Sequence, residues 1–236
     1  MVMKNRKKIL IISLTLLASF TCAAETVTKG MKKVIDDALD FSVKQSMSMF
    51  YEMKDQKGIL PRTAENGKMI TCESAWWTSG FYPGTLWYCY EYSNDPQIRA
   101  AAEEMTSRVE KQKYTTSNHD VGFIINCSFG NGYRLTHNET YRKVIETAAK
   151  SLSTRFHPVT GCTRSWNSKK WQFSVIIDNM MNLELLNVAS SLTGDNTYYN
   201  MAKSHADRTM INHFRPDGSS YHVVSYDTIT GKVLNQ

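Results

Sequence analysis

Proline is scarce in this 236-residue chain, five residues in all, and its 12 glycines are scattered rather than clustered. No Pro/Gly/Ser-rich linker and no low-complexity block interrupts it, so residues 25–236 read as one domain. Cysteine offers no metal pattern. Cys72, Cys89, Cys127 and Cys162 include no CxxC pair, and a domain this size can form its core without disulfides, so they read as isolated thiols. Long apolar runs are also missing. The one candidate, "ILIISLTLLASF" from Ile9 to Phe20, is too short to span a bilayer comfortably. It follows Lys4, Arg6, Lys7 and Lys8 and precedes the small residues of "CAA" (Cys22 to Ala24), the layout of a signal peptide over residues 1–24. An uncleaved anchor is the alternative; lipidation at Cys22 fits less well because Phe20 is bulky where a small residue is expected. The expectation is an exported, periplasmic bacterial protein with no membrane span after processing.

Excess charge disappears with that segment. Residues 1–24 hold four basic and no acidic residues, so removing them lowers the formal charge from +6 to +2. That balance argues against a nucleic-acid partner.

Helical patterns dominate what is present. Val27 to Met53 carries apolar residues near helical spacing, and "FYPGTLWYCYEYS" forms an aromatic segment ending at "NDP". Asp95 or Asn94 can cap a helix starting near Pro96 and running through Val109. "DVGFIINCSFGNGYRLT" is apolar and Gly-containing, and "HNETYRKVIETAAKSLSTRF" has Asn138 or Thr136 as its cap. "SVIIDNMMNLELL" (Ser174 to Leu186) reads as a helix ended near "TGD", with Gly194 past its end and Asp195 capping "NTYYNMAKSHADRTMINHF". "SSYHVVSYD" and the last residues look like a short hairpin. Of about seven helices, the first, third, fifth and seventh are charged on one face and the others nearly charge-free. Alternating outer and inner helices suggest an all-α toroid of α-hairpins.

Three places can carry chemistry. Asp178 lies inside the apolar run "SVIIDNMMNLELL"; on a helix, Ser174, Asp178 and Asn182 would form one polar stripe facing an enclosed space. The pattern leaves two readings, a core carboxylate satisfied by backbone amides or an arginine, and a functional acid. In "NHDVGF" (Asn118 to Phe123), Asp120 is either an N-cap or a second acid. His119 has no second histidine at ligand spacing, which argues against a metal. Aromatic residues crowd "ESAWWTSGFYPGTLWYCYEY", including Trp76 and Trp77, with Trp166 and Trp171 before Asp178. They either build core or wall a sugar-binding cleft. Two carboxylates on inner helices with tryptophan nearby form a glycosidase-like constellation.

In the blocks "WWTSGFYPGTLW", "HDVGF", "RSW", "IIDNMMNLELL" and "DGSSYHVVSYDTITGKV" the sequence resembles glycoside hydrolase family 88, the unsaturated glucuronyl hydrolases. The resemblance implies an (α/α)6 barrel, incomplete here because only about seven of the barrel's twelve helices precede Gln236 and a following Gly-Gln-Ala-Trp-like motif is absent. Residues 25–236 would then be a partial domain. It also implies removal of a 4,5-unsaturated glucuronic acid from lyase-generated glycosaminoglycan oligosaccharides, by hydration of the vinyl ether, with no cofactor and no metal. Asp178 matches the general acid/base and Asp120 the second aspartate. His119, Trp77, Trp166 and His222 match substrate-contacting positions. The related family 105, acting on pectin fragments, and a non-catalytic carbohydrate-binding remnant are the competing readings. Oligomeric state is left open.

Overall fold

The computed structural model describes residues 28–236, so the signal peptide read at residues 1–24 lies outside them. The chain divides into two units, Met1–Ala38 and Leu39–Gln236, and the second holds every candidate site residue. Among the described residues no helix is long and apolar enough to cross a membrane.

Helix α1 (Lys29–Met53) leads into a hairpin, β1 (Ile59–Glu65) and β2 (Lys68–Glu73), that the sequence reading did not anticipate. Its signal is Asn66–Gly67, both with positive φ (50° and 73°), the conformation a two-residue hairpin turn requires. α2 (Phe81–Ser93) and α3 (Pro96–Ser107) form the next helical pair. Asn94 ends α2 in the left-handed conformation, and the Asp95 carboxylate accepts from Gln97 N–H at 2.8 Å to start α3.

A bulged helix follows: α4 (Val121–Ile125), a π-helical turn (Asn126–Gly130) and α5 (Asn131–Thr136). Asn138 caps α6 (Glu139–Ser153) by accepting from Thr140 N–H. Two short strands, β3 (Phe156–His157) and β4 (Cys162–Thr163), pair with each other. Then come β5 (Ser174–Ile176), α7 (Asn179–Asn182), α8 (Glu184–Thr193), α9 (Asn196–Asn212), β6 (Val223–Tyr226) and β7 (Val233–Asn235). Counting the bulged and broken helices once each, seven helices are present among the described residues, as expected.

"SVIIDNMMNLELL" is not one helix. Ser174, Val175 and Ile176 pair antiparallel with Ser225, Val224 and Val223, making β6 the centre of a three-stranded sheet rather than half of a lone hairpin. β-Branched side chains suit that pleated, two-sided burial. The helix begins only after Asp178 and breaks at Leu183. The polar stripe therefore does not exist: the Ser174 hydroxyl donates to Trp166 O instead.

The core runs between the inner helices and α6, through Val121, Ile124, Ile125, Phe129, Val144, Ile145, Leu152, Leu185 and Leu186. A second cluster joins Met53, Tyr82, Leu86, Trp87, Ala102 and Met105. Inner segments meet at glycines. Gly80 sits against the Ile124 backbone and Gly122 against the Asn182 backbone, so close that no Cβ fits at either contact. All four cysteines in the described residues are free thiols.

Candidate active site

Both candidate acids stand at the N-cap position of a helix, Asp120 before α4 and Asp178 before α7. Asp95 and Asp195 stand at the same kind of position and behave as ordinary caps, each carboxylate accepting a backbone N–H two residues on at 2.8 Å. Asp120 and Asp178 make no such side-chain cap. At Asp120 the entry turn is closed by Asn118 Oδ1, which accepts from Asp120 N–H at 3.0 Å. Both carboxylates are half-buried, and Asp178 Oδ1 is buried with no hydrogen-bond partner. Desolvation of a carboxylate favours its protonated form.

The electrostatics follow. Burial, reinforced by the nearby Asp178 charge, pushes the Asp120 carboxyl up to about 6; Arg155 opposes part of this. Burial also raises the Asp178 carboxyl, against the pull of His222 and of the backbone amides of Asp178 and Asn179. Because the Asp178 charge helps raise Asp120, the protonation of the two carboxyls is linked. By contrast, the capping bonds from Thr197 hold Asp195 below its usual range.

His119 is buried, and desolvation pulls its imidazole down to about 4, so it is neutral near pH 7. Its Nε2 lies 3.3 Å from Asp120 Oδ1. It also approaches the Asn179 side chain, although His119 Nδ1 and Asn179 Oδ1 close no well-formed hydrogen bond.

One short backbone segment ties these corners together. Ser165 O accepts from His119 N–H at 3.0 Å, Ser165 N–H donates to Ser174 O, and Ser165 Oγ accepts from Ile176 N–H. Trp166 bridges to Asn118, beside His119 and Asp120. His222 O accepts from Ile177 N–H, which carries the His222 ring to Asp178. Trp77 is 43 % exposed and packs on Phe123, three residues past Asp120, with ring centroids 6.1 Å apart. All six residues singled out from the sequence thus converge on the two helix entries.

Three residues, Arg155, Asn179 and Ser165, were not singled out from the sequence, and a fourth, Asn182, takes a different place from the one expected. Arg155 is buried, donates to Thr116 O and Arg164 O, and its positive charge opposes the upward shift of Asp120 while adding to the downward shift of His119. Asn179 donates to Thr163 O at 2.7 Å. Ser165 anchors the central strand segment. Asn182, expected to face the enclosed space, is fully buried and accepts from Phe123 N–H at 2.8 Å, locking α7 to α4. Their signals are tertiary, except that Asn179 follows Asp178 directly. Among the described residues no group of three or more His, Cys, Asp or Glu is arranged to hold a metal.

No family model matches the chain. Among curated proteins, an unsaturated glucuronyl hydrolase of Formosa agariphila is 48% identical over 160 residues, covering 66% of this chain and 40% of that protein. An unsaturated chondroitin disaccharide hydrolase of Streptococcus pyogenes serotype M1 is 33% identical over 204 residues, 84% of this chain and 50% of that one. Among solved structures, an unsaturated glucuronyl hydrolase specific for heparin superposes with a TM-score of 0.79 at 43% identity, covering 85% of this chain and 55% of the other.

The chain belongs to the unsaturated glucuronyl hydrolases.

It spans about half the length of the curated relatives it matches. Its outer and inner helices follow the (α/α)6 barrel of that family.

Proposed function

We propose that this protein removes 4,5-unsaturated glucuronic acid from the non-reducing end of glycosaminoglycan fragments left by polysaccharide lyases. Two half-buried carboxyls, both free of capping duty and both raised by burial, with the Asp178 charge raising Asp120 further, are the observation that carries this reading. Membership of the family supports it.

In the proposed reaction Asp178 donates its proton to C4 of the vinyl ether, leaving positive charge at C5 shared with the ring oxygen. Water adds at C5 and yields its proton to the carboxylate pair, with Asp120 orienting the water. The C5 hemiketal opens to a ketone by breaking its bond to the ring oxygen. The hemiacetal formed at C1 then expels the aglycone as an alcohol. C4 protonation takes the proton from the pair and water addition returns one, so the hydration as a whole begins and ends with one proton on the pair, which suits groups whose proton affinity is raised toward neutrality. His119, neutral and fixed beside Asp120, and His222, beside Asp178, serve as substrate contacts in this reading. Trp77 and Trp166 supply apolar faces for the sugar. No cofactor takes part. The basic and apolar stretch over residues 1–20 supports an exported, periplasmic location for the enzyme.

The C4–C5 double bond absorbs in the ultraviolet, so its loss reports turnover. Unsaturated chondroitin or heparin disaccharides are expected to lose that absorbance when the protein is added. Activity confined to unsaturated rhamnogalacturonan disaccharides would contradict the proposal.

The pH profile is a further expectation. Below about 6 Asp120 holds a proton, and Asp178 is shifted in the same direction. As pH rises through that region the pair loses the proton it must deliver. The turnover rate should therefore fall on the alkaline side of about 6, approaching roughly tenfold per pH unit, while an acid limb marks loss of the ionised partner. A rate that is flat from pH 5 to pH 8, on the order of three units, would contradict the shared-proton assignment.

A further inference from the structure

Helix α9 buries a polar face that the chemistry above does not use. His205, Thr209 and His213 recur every fourth residue and are 0%, 3% and 0% exposed. His205 Nε2, Thr209 Oγ1 and His213 Nε2 have no hydrogen-bond partner within the described chain.

Hydrogen bonding fixes the tautomer of both rings. Thr163 N–H donates to His205 Nδ1 at 2.9 Å, so that nitrogen is bare and the neutral ring carries its proton on Nε2. His213 Nδ1 lies 3.3 Å from Tyr221 O, a carbonyl that only accepts, so its proton sits on Nδ1. Burial keeps the His205 ring neutral, pulling it down to about 3, and His213 is lowered for the same first reason. The remaining effects on His205 come from His213 and His119, so the stripe lies within electrostatic reach of the candidate site.

What His205 grips matters more than the stripe itself. The Thr163 peptide is held on both sides: its N–H by His205, its carbonyl by the Asn179 amide at 2.7 Å. Asn179 adjoins Asp178. Two residues after Thr163, Ser165 holds the backbone of His119, next to Asp120, and the amide of Ile176, two residues before Asp178. Both acid corners thus hang on the segment from Thr163 to Ser165, and His205 is the side chain that clamps this segment to α9.

We propose that His205 is a positioning residue for the acid pair, holding Asp120 and Asp178 in register through Thr163, Asn179 and Ser165. The inference deepens, and rests on, the reading of those aspartates as the reacting acids.

The test compares three substitutions. His205→Asn puts an amide oxygen where Nδ1 stands and keeps the acceptor for Thr163. His205→Gln moves the amide outward to the Nε2 position, and His205→Leu offers no acceptor. Wild-type-like kcat, within about threefold, is expected for the asparagine variant, with a loss of about 100-fold in kcat and little change in KM for the other two. Equal activity in His205→Asn and His205→Leu, or equal loss in all three, overturns the proposal. A second measurement does not depend on turnover. Ring-nitrogen NMR of the unaltered chain should show His205 as the Nε2–H tautomer, unchanged from about pH 8 to about pH 5. An Nδ1–H tautomer, or titration near the ordinary histidine range, overturns it. A chain that turns over no unsaturated disaccharide yet shows this signature refutes the proposed function and leaves the clamp standing.

Discussion

Asp178→Asn is expected to slow turnover by between about 100-fold and 10 000-fold while the protein keeps its fold. The substitution is nearly isosteric, and the position is tolerant. α7 does not depend on an Asp178 cap, since its side chain accepts no bond from the helix amides in cap geometry, and its buried Oδ1 has no partner to lose. The asparagine has no acidic proton to give to C4. It also removes a negative charge that helps raise Asp120, whose carboxyl should titrate below its present value of about 6 in the variant. Ultraviolet kinetics, circular dichroism and a carboxyl-carbon NMR titration check the three parts separately. A variant near the wild-type rate would reassign the acid; an unchanged Asp120 titration would separate the two carboxyls.

Gly122→Ala should damage stability and activity together. A Cβ there would sit 2.5 Å from Asn182 O and 2.6 Å from Asn182 Cα, both backbone atoms that cannot turn aside. Overpacking of this kind costs about 1–3 kcal/mol, so for a domain of this size the midpoint of thermal unfolding should fall by several degrees, roughly 2–10 °C. Relief requires α4 and α7 to move apart, which breaks the Phe123 N–H bond to Asn182 Oδ1 and separates the two acids at the heads of those helices. A misplacement of about 1 Å between reacting groups can cost on the order of 100-fold in rate. Gly30→Ala is the control. Gly30 lies in α1 with nothing within 4 Å of the added methyl, and there alanine should be neutral or stabilising by up to about 1 kcal/mol. Equal behaviour of the two variants in thermal melts would contradict the packing argument.

Local chemistry was legible where one residue decides the backbone. Asp95, Asn138 and Asp195 cap the helices that their positions predict, and Gly194 ends α8 with positive φ. The β1–β2 turn was equally local, but Pro61 and the mixed polarity of "ILPRTAE" hid the strand beside it. Ser174 to Ile176 could not be read correctly from spacing, because a short apolar run fits helix and strand alike. Its partner, β6, lies about fifty residues away, so the deciding hydrogen bonds leave no local trace. The site divides in the same manner. Asp120 and Asp178 were visible as isolated acids in apolar surroundings, and the family resemblance paired them. Arg155, Ser165, Asn182 and His205 matter only through contacts between distant segments, and no spacing rule reports those.

The most direct test follows the reaction of an unsaturated glucuronyl disaccharide in deuterium oxide by proton NMR. Delivery of a solvent-exchanged proton from Asp178 to C4 predicts that the vinyl C4–H signal disappears as the aglycone is released, with one deuterium added at C4. Release of the aglycone while the vinyl signal persists would mean ordinary cleavage at C1 and would contradict the account, as would a disaccharide left unconsumed.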